Sequence, residues 1–250
     1  MSRRRRCRSR CAVLAWIVLL SGAGVLLPSA SARQTPDALY ADRENLESAT
    51  GAAEAWERRL EDDPGDFDAA WKLSRARYWL GGHVTRAERT GQYDAGIAAA
   101  RRAVSIDSAR PEGHFWMAAN MGALAESSGP LTGLRYRGDI KDQLEIVLRL
   151  APGYQQGSAD RALGRWYAKV PGLFGGSDER AVEHLRRSLE YDPDSTASHF
   201  FLAETFVEMG RIDDARVELQ AVLDAPVNPE WAPEDRQFKH KAEELLRELQ

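Results

Sequence analysis

Apolar side chains recur along the chain at helical spacing, and short turn signals interrupt them at intervals. Near the C-terminus, Ala215, Leu219 and Val222 follow one another at i, i+4 and i+7, which places them on one face of a helix. Gly210 precedes this helix and Pro226 follows it, residues that close and stop helices. No sustained alternation of apolar and polar residues indicates a strand. The pattern therefore predicts an all-α protein.

The turn signals themselves form a repeat. An acidic or small residue followed by proline or serine closes five helix-like stretches, at Pro64, Ser108, Pro152, Pro193 and Pro226. Successive closures lie 44, 44, 41 and 33 residues apart, and the last step is close to the roughly 34 residues of a tetratricopeptide repeat. We therefore expect a tetratricopeptide-like α-solenoid of about four to five helix pairs. The amphipathic, highly charged segment at 233–249 is expected to be its C-terminal capping helix.

The first 32 residues differ from the rest and resemble an export signal. Six arginines occupy the first ten positions, an apolar run follows to about Leu27, and small residues stand at 30–32. We expect cleavage after Ala32, which leaves 33–250 as one helical repeat domain in the periplasm. The alternative is an uncleaved signal that anchors the protein in the inner membrane, although the run is shorter than the roughly 20 residues of a spanning helix.

Removal of the signal changes the charge of the chain. The whole sequence has 34 basic and 38 acidic residues, a net charge of −4. Without the six signal arginines, 28 basic residues face 38 acidic ones, so the mature net charge is −10. Both cysteines, Cys7 and Cys11, leave with the signal. The mature chain therefore has no disulfide, and its acidity argues against general nucleic-acid binding.

Three segments exceed the repeat length and are expected to be inserted loops, at 81–90, 124–138 and 168–177. The apolar residues of the second and third either plug gaps between helix pairs or contact a ligand: Leu134, Val170, Leu173 and Phe174. The cations beside them either receive a carboxylate or pair with the protein's own acidic residues: Arg135, Arg137, Arg161, Arg165 and Lys169.

No motif in the sequence indicates catalysis. A phosphate-binding loop, a nucleophile elbow and a His-Glu-x-x-His pair are all missing from the sequence, so we expect no enzyme, cofactor or metal. His114 and His199 occupy equivalent repeat positions and either pack or bind a ligand or metal, with Glu204 nearby. The tryptophans form either core or an aromatic groove: Trp56, Trp71, Trp79, Trp116, Trp166 and Trp231.

Four stretches carry a more specific resemblance, at 111–120, 161–167, 198–205 and 229–235. They resemble the tetratricopeptide T-components of bacterial TRAP-type transporters over nearly all of the mature chain. The resemblance implies a periplasmic, often oligomeric helical protein that partners a solute-binding subunit and offers an apolar channel or groove to a hydrophobic solute. The central repeats are also similar to regulators of microtubule dynamics, but the bacterial-style signal argues against a tubulin role.

The sequence thus favours a non-enzymatic periplasmic protein that binds the solute-binding protein of a TRAP-type transporter and, as a further possibility, a hydrophobic or carboxylate-bearing solute. The alternative is a general cell-envelope assembly scaffold without a small-molecule role. The candidate binding residues are His114, Trp116, Asn120, Leu134, Arg135, Tyr136, Arg137, Arg161, Arg165, Trp166, Lys169, Phe174, His199 and Glu204.

Overall fold

A computed structural model describes residues 34–249, and the predicted signal lies outside them. Over this range the chain forms helices and no strand, so the all-α solenoid is confirmed. None of these helices combines the length and apolarity needed to cross a bilayer. The helices are α1 (Pro36–Ala41), α2 (Leu46–Asp62), α3 (Phe67–His83), α4 (Arg86–Ile106), α5 (Pro111–Ser128), α6 (Pro130–Leu150), α7 (Ser158–Lys169), α8 (Asp178–Tyr191), α9 (Thr196–Glu208), α10 (Ile212–Asp224) and α11 (Ala232–Glu248).

Local chemistry sets the helix ends. The side chains of Asn45, Asp66 and Ser195 accept backbone N–H bonds at the starts of α2, α3 and α9, where those donors have no helical partner. Gly210 precedes α10 with φ +72°, a left-handed conformation that costs glycine little. Gly210 was one of the sequence signals from which the turns between repeats were predicted.

Small residues let the two helices of a pair approach closely. A Cβ added at Gly164 of α7 would lie 2.5 Å from Leu185 Cγ of α8, well inside van der Waals contact. Ala118 of α5 and Ala203 of α9 are buried at comparable points of their own repeats. Around these contacts, residues such as Leu144 and Leu219 are fully enclosed. Burial of these apolar faces, and not intrinsic propensity, supplies most of the stability of such helices.

Two of the three predicted loop insertions are helical. Helix α3 runs to His83 and α4 begins at Arg86, while α5 runs to Ser128 and α6 begins at Pro130. The extra residues therefore lengthen helices α4, α5 and α6, and the prediction of loops at 81–90 and 124–138 was wrong. Only the third insertion is largely a loop, with a short 3₁₀ turn at Gly172–Phe174.

The solenoid closes on itself, because its last helix contacts its first turn. Arg43, between α1 and α2, makes a two-pronged ion pair with Glu234 of α11, with N–O distances of 2.5 and 3.1 Å. Arg236 of α11 pairs with Glu44, and Gln237 contacts His83 of α3 at 2.8 Å. Since each helix pair also packs on the next, the repeats form a ring.

Candidate functional site

The ring surrounds a cavity of about 1360 Å³. This volume exceeds the roughly 300–1,000 Å³ of a typical small-molecule site. Its wall comes mainly from the first helix of each pair, α3, α5, α7 and α9, together with α6 and α11. The cavity thus lies on the concave face that such repeats commonly use for binding.

Aromatic side chains form much of the cavity wall. The rings of Tyr78 and Trp116 lie 5.6 Å apart, and those of Phe201 and Phe238 meet edge to face at 5.5 Å. Tyr78 lines the cavity and has 39 % of its surface exposed. Burial of the side chain raises the pKa of Tyr78 to about 12. The wall suits an apolar ligand.

Seven of the fourteen candidate residues line this cavity. Trp166 is fixed there by its Nε1–H, which donates to the carbonyl of Arg137 at 2.9 Å. Leu134 and Val170 line the cavity as well. The seven are Trp116, Leu134, Arg137, Arg161, Arg165, Trp166 and Lys169.

Two of the cations at the cavity are held by acidic residues of the protein itself. Arg165 of α7 pairs with Glu126 of α5 at 2.7 Å and with Glu204 of α9 at 2.8 Å. Burial alone would lower the pKa of Arg165, but these two carboxylates outweigh burial and raise it. Lys169 pairs with Glu208 at 2.7 Å. These bridges connect the inner helices of three neighbouring repeats.

The other candidate residues lie away from the cavity wall. Asn120 is fully buried, and its amide donates to the carbonyl of Trp116 at 2.8 Å and to the carbonyl of Ser74 at 3.2 Å. Arg135 stacks on Tyr136, whose ring packs on the core, and Phe174 lies beneath Arg137. The seven candidate residues outside the wall are His114, Asn120, Arg135, Tyr136, Phe174, His199 and Glu204.

The two repeat-equivalent histidines have structural partners. The Nδ1 of His114 lies 2.6 Å from Gln143, and that of His199 lies 2.6 Å from Glu218. In each case Nε2 contacts the carbonyl six residues earlier, so each ring joins a first helix to its second helix and to the preceding turn. Within residues 34–249 no cluster of three metal-ligating side chains exists. Both rings are thus bonded within their own repeats, and a ligand role for them stays a prediction.

The tryptophans divide between the two alternatives. Trp56 is a core residue with no exposed surface, and Trp71 packs partly buried on the core. Four others line the cavity: Trp79, Trp116, Trp166 and Trp231. Of these, Trp79 and Trp116 also belong to the hydrophobic core, and each is only 4 % exposed.

Sequence reasoning missed several cavity residues, and one of the signals was available. On α5, Ala119, Gly122, Ala123 and Glu126 line the cavity at i, i+3, i+4 and i+7. A stripe of small residues at that spacing marks a face that no bulky neighbour fills. Phe238 of α11 lines the cavity while it packs partly on the core, and the ring closure that brings it there has no local sequence signature.

Leucines at two of the insertions are exposed instead of buried. Leu173 is 90 % exposed and Leu131 is 85 % exposed. The hypothesis that Leu173 plugs a gap between helix pairs is therefore wrong. Leu131 lies one turn before the cavity residue Leu134 on α6, and Leu173 follows the cavity residues Val170 and Pro171. Both leucines thus stand near the rim of the cavity.

A solved tetratricopeptide protein has the same fold as this chain. The protein TTC0263 from Thermus thermophilus superposes with a TM-score of 0.64 at 21 % identity, over 84 % of this chain and 97 % of its own. YrrB, described as a tetratricopeptide protein with an unusual peptide-binding site, gives a TM-score of 0.46 at 19 % identity, over 79 % of this chain and 91 % of its own. No curated protein sequence matches the chain.

Two family models match overlapping parts of the sequence. Residues 33–174 match the model described as regulator of microtubule dynamics protein 1-3. Residues 107–250 match the model of the TRAP transporter T-component, which covers α5 to α11 and most of the cavity wall. Each match spans more than half of the chain, and the chain belongs to the TRAP transporter T-component family while its N-terminal repeats also belong with the regulators of microtubule dynamics.

Proposed function

We propose that this chain is the exported T-component of a TRAP-type transporter, which binds a solute-binding subunit and holds a hydrophobic solute in its central cavity. The observation that carries the proposal is the ring of helix pairs around an aromatic-walled space of about 1360 Å³. The family match over 107–250 supports the transporter role. The protein acts by binding, without catalysis, in the periplasm after cleavage following Ala32.

The partner subunit is proposed to dock at the cavity rim. Leu131 and Leu173 are 85 % and 90 % exposed, and each lies within three residues of a cavity residue in the sequence. Large exposed apolar side chains beside a binding cavity are candidates for contact with a partner. The guanidinium of Arg137 lies 5.5 Å from the Phe174 ring, which links the third insertion to helix α6. A partner seated on this rim would face the mouth of the cavity, so a solute could pass between the two proteins.

Binding of the solute-binding subunit separates this proposal from a general envelope scaffold. We expect the protein, expressed from the full-length sequence, to co-purify with the solute-binding subunit of the same cell's TRAP transporter. Leu173→Asp should weaken this association because a charge replaces an exposed apolar contact. Val217→Asp, at a 67 % exposed position of α10, is the matched control and should leave it unchanged.

Two results would contradict the partner proposal. Capture of outer-membrane assembly factors without the solute-binding subunit would favour the scaffold. Equal binding by Leu173→Asp and Val217→Asp would place the interface elsewhere. Organic extracts of the gently purified protein, examined by mass spectrometry, should also contain an apolar compound, and its repeated absence would count against a solute role.

A further inference from the structure

One of the three arginines of the cavity differs from the other two. Arg161 lies in the first turn of α7 and lines the cavity. Arg137 donates to the Leu134 carbonyl and Arg165 is held by two glutamates. Among residues 34–249, the guanidinium of Arg161 has neither a hydrogen-bond partner nor a carboxylate within 4.0 Å. A guanidinium carries five donors and stays charged, so enclosing one without partners is costly.

The position of Arg161 within the repeat makes the residue unusual. Three repeats contain a polar pair between a first helix and a second helix, each 2.6–2.7 Å long: His114–Gln143, Asp160–His184 and His199–Glu218. The residue after the first member of each pair is Phe115, Arg161 or Phe200. Both phenylalanines are buried in hydrophobic clusters. Arg161 thus stands where the sister repeats place an apolar packing residue.

Acidic residues near Arg161 do not satisfy it. Burial lowers the pKa of Arg161, while Asp192 and Asp235 act in the opposite direction. The carboxylate of Asp235 is already bonded, since it accepts from Thr196 Oγ1 at 2.6 Å and from the Asn228 N–H at 2.8 Å. Asp192 lies beyond ion-pair distance. These residues favour the charged guanidinium and leave its donors open to the cavity.

We propose that the cavity binds an amphipathic monocarboxylate whose carboxylate pairs with Arg161 and whose hydrocarbon chain lies against Trp116, Trp166 and Phe238. This inference rests on the proposed function and names the class of solute. The planar guanidinium fits a carboxylate in a two-pronged arrangement. The acidic residues Glu126, Asp192 and Asp194 in the same wall disfavour an anion with more than one negative charge.

Displacement of a neutral apolar dye tests the proposal. N-phenyl-1-naphthylamine is bound to the protein and displaced by dodecanoate or by dodecanol, which share a chain and differ in the head group. We expect dodecanoate to displace the dye at concentrations about tenfold lower than dodecanol, because charge-assisted hydrogen bonds form only with the carboxylate. Arg161→Met should remove this preference and leave displacement by dodecanol unchanged. Arg186→Met, at an exposed position of α8, is the matched control and should retain the preference.

The outcomes separate this inference from the proposed function. If the dye and dodecanol bind but dodecanoate binds no better, the carboxylate inference is overturned and the apolar cargo stands. An unchanged preference in folded Arg161→Met would also overturn it. If that variant fails to fold, the comparison of dodecanoate with dodecanol on the parent protein still tests whether the cavity prefers a carboxylate. If neither the dye nor either ligand binds the parent protein, the solute role itself fails.

Discussion

At the scale of single residues, polar contacts between the two helices of a repeat fix how the pair is joined. The imidazole of His199 bridges the Glu218 carboxylate on α10 and the Pro193 carbonyl in the preceding turn. Burial alone would lower the pKa of His199, but these two acceptors outweigh burial and raise it. The folded protein therefore holds the proton more tightly than the unfolded chain does.

This linkage predicts a pH-dependent contribution to stability. Because the folded-state pKa of His199 is raised, its stabilisation is complete below the unfolded value near 6.5 and is lost as pH rises through the folded value. His199→Gln should therefore lower the urea midpoint more at pH 6 than at pH 8. His240→Gln, which removes an exposed imidazole from α11, is the control. A larger loss for His199→Gln at pH 8 would contradict the prediction.

The sequence could predict part of this residue-level arrangement. The repeat register placed His114 and His199 at equivalent positions, but it could not identify their partners. Gln143 and Glu218 lie 29 and 19 residues away, and only the packed helix pair brings them within 2.6 Å. The isolation of Arg161 was equally invisible, since an absent partner depends on every side chain around it.

At the scale of elements, α11 acts as the closing segment of the ring as well as a cap. The Arg43 guanidinium is almost fully buried and lies 5.0 Å and 5.2 Å from the ring centres of Tyr40 and Trp79. Trp79 in turn donates to the Arg43 carbonyl at 2.8 Å. Glu234 therefore anchors α11 to a rigid site formed by the first three helices.

Loss of this anchor should destabilise the closed ring. Arg43→Met removes one partner of a largely buried ion pair, and we expect the free energy of unfolding to fall by about 1–3 kcal/mol. That is less than the loss for a fully buried pair, because Glu234 is 25 % exposed. Faster hydrogen exchange in α11 should accompany the change in urea denaturation.

The neighbouring Arg236–Glu44 pair provides a matched control. Both of its side chains are about half exposed, so Arg236→Met should cost less than about 1 kcal/mol. Two results would contradict a stabilising role for the buried Arg43–Glu234 pair. One is an equal loss of unfolding free energy in Arg236→Met and Arg43→Met. The other is the same rate of hydrogen exchange in α11 of both variants and the parent protein.

The prediction of loops from the spacing between repeats failed for two of the three insertions. Excess length in the repeats predicted loops, yet Gly129 and Pro130 make a sharp turn between α5 and α6 and the flanking residues continue both helices. Proline at the first position of a helix loses no hydrogen bond, so it starts α6 without a loop. Glycine in the insertions suggested irregular structure, but Gly133 and Gly138 stand inside α6.

At the scale of the whole molecule, the repeats enclose a space that no single repeat could form. The number of helix pairs and the capping helix were predictable from periodicity, because turn residues in the sequence mark the end of each repeat. Ring closure was not, since Arg43 and Glu234 are 191 residues apart and meet only after all the pairs have stacked. The aromatic cavity follows from that closure, and the proposed solute role depends on it.

Filling the cavity should therefore remove the binding function while sparing the fold. Ala119→Trp places an indole into the cavity from the wall of α5. Ala98→Trp, at an exposed position of α4, adds the same group outside the cavity. Circular dichroism and thermal unfolding establish that each variant is folded.

Titration of N-phenyl-1-naphthylamine into these proteins tests the central claim most directly. We predict saturable fluorescence enhancement with the parent protein and with Ala98→Trp. Folded Ala119→Trp should bind the dye at least tenfold more weakly, a loss of about 1.4 kcal/mol or more in binding free energy. Equal binding by all three, or no binding by the parent protein, would contradict a solute-binding cavity.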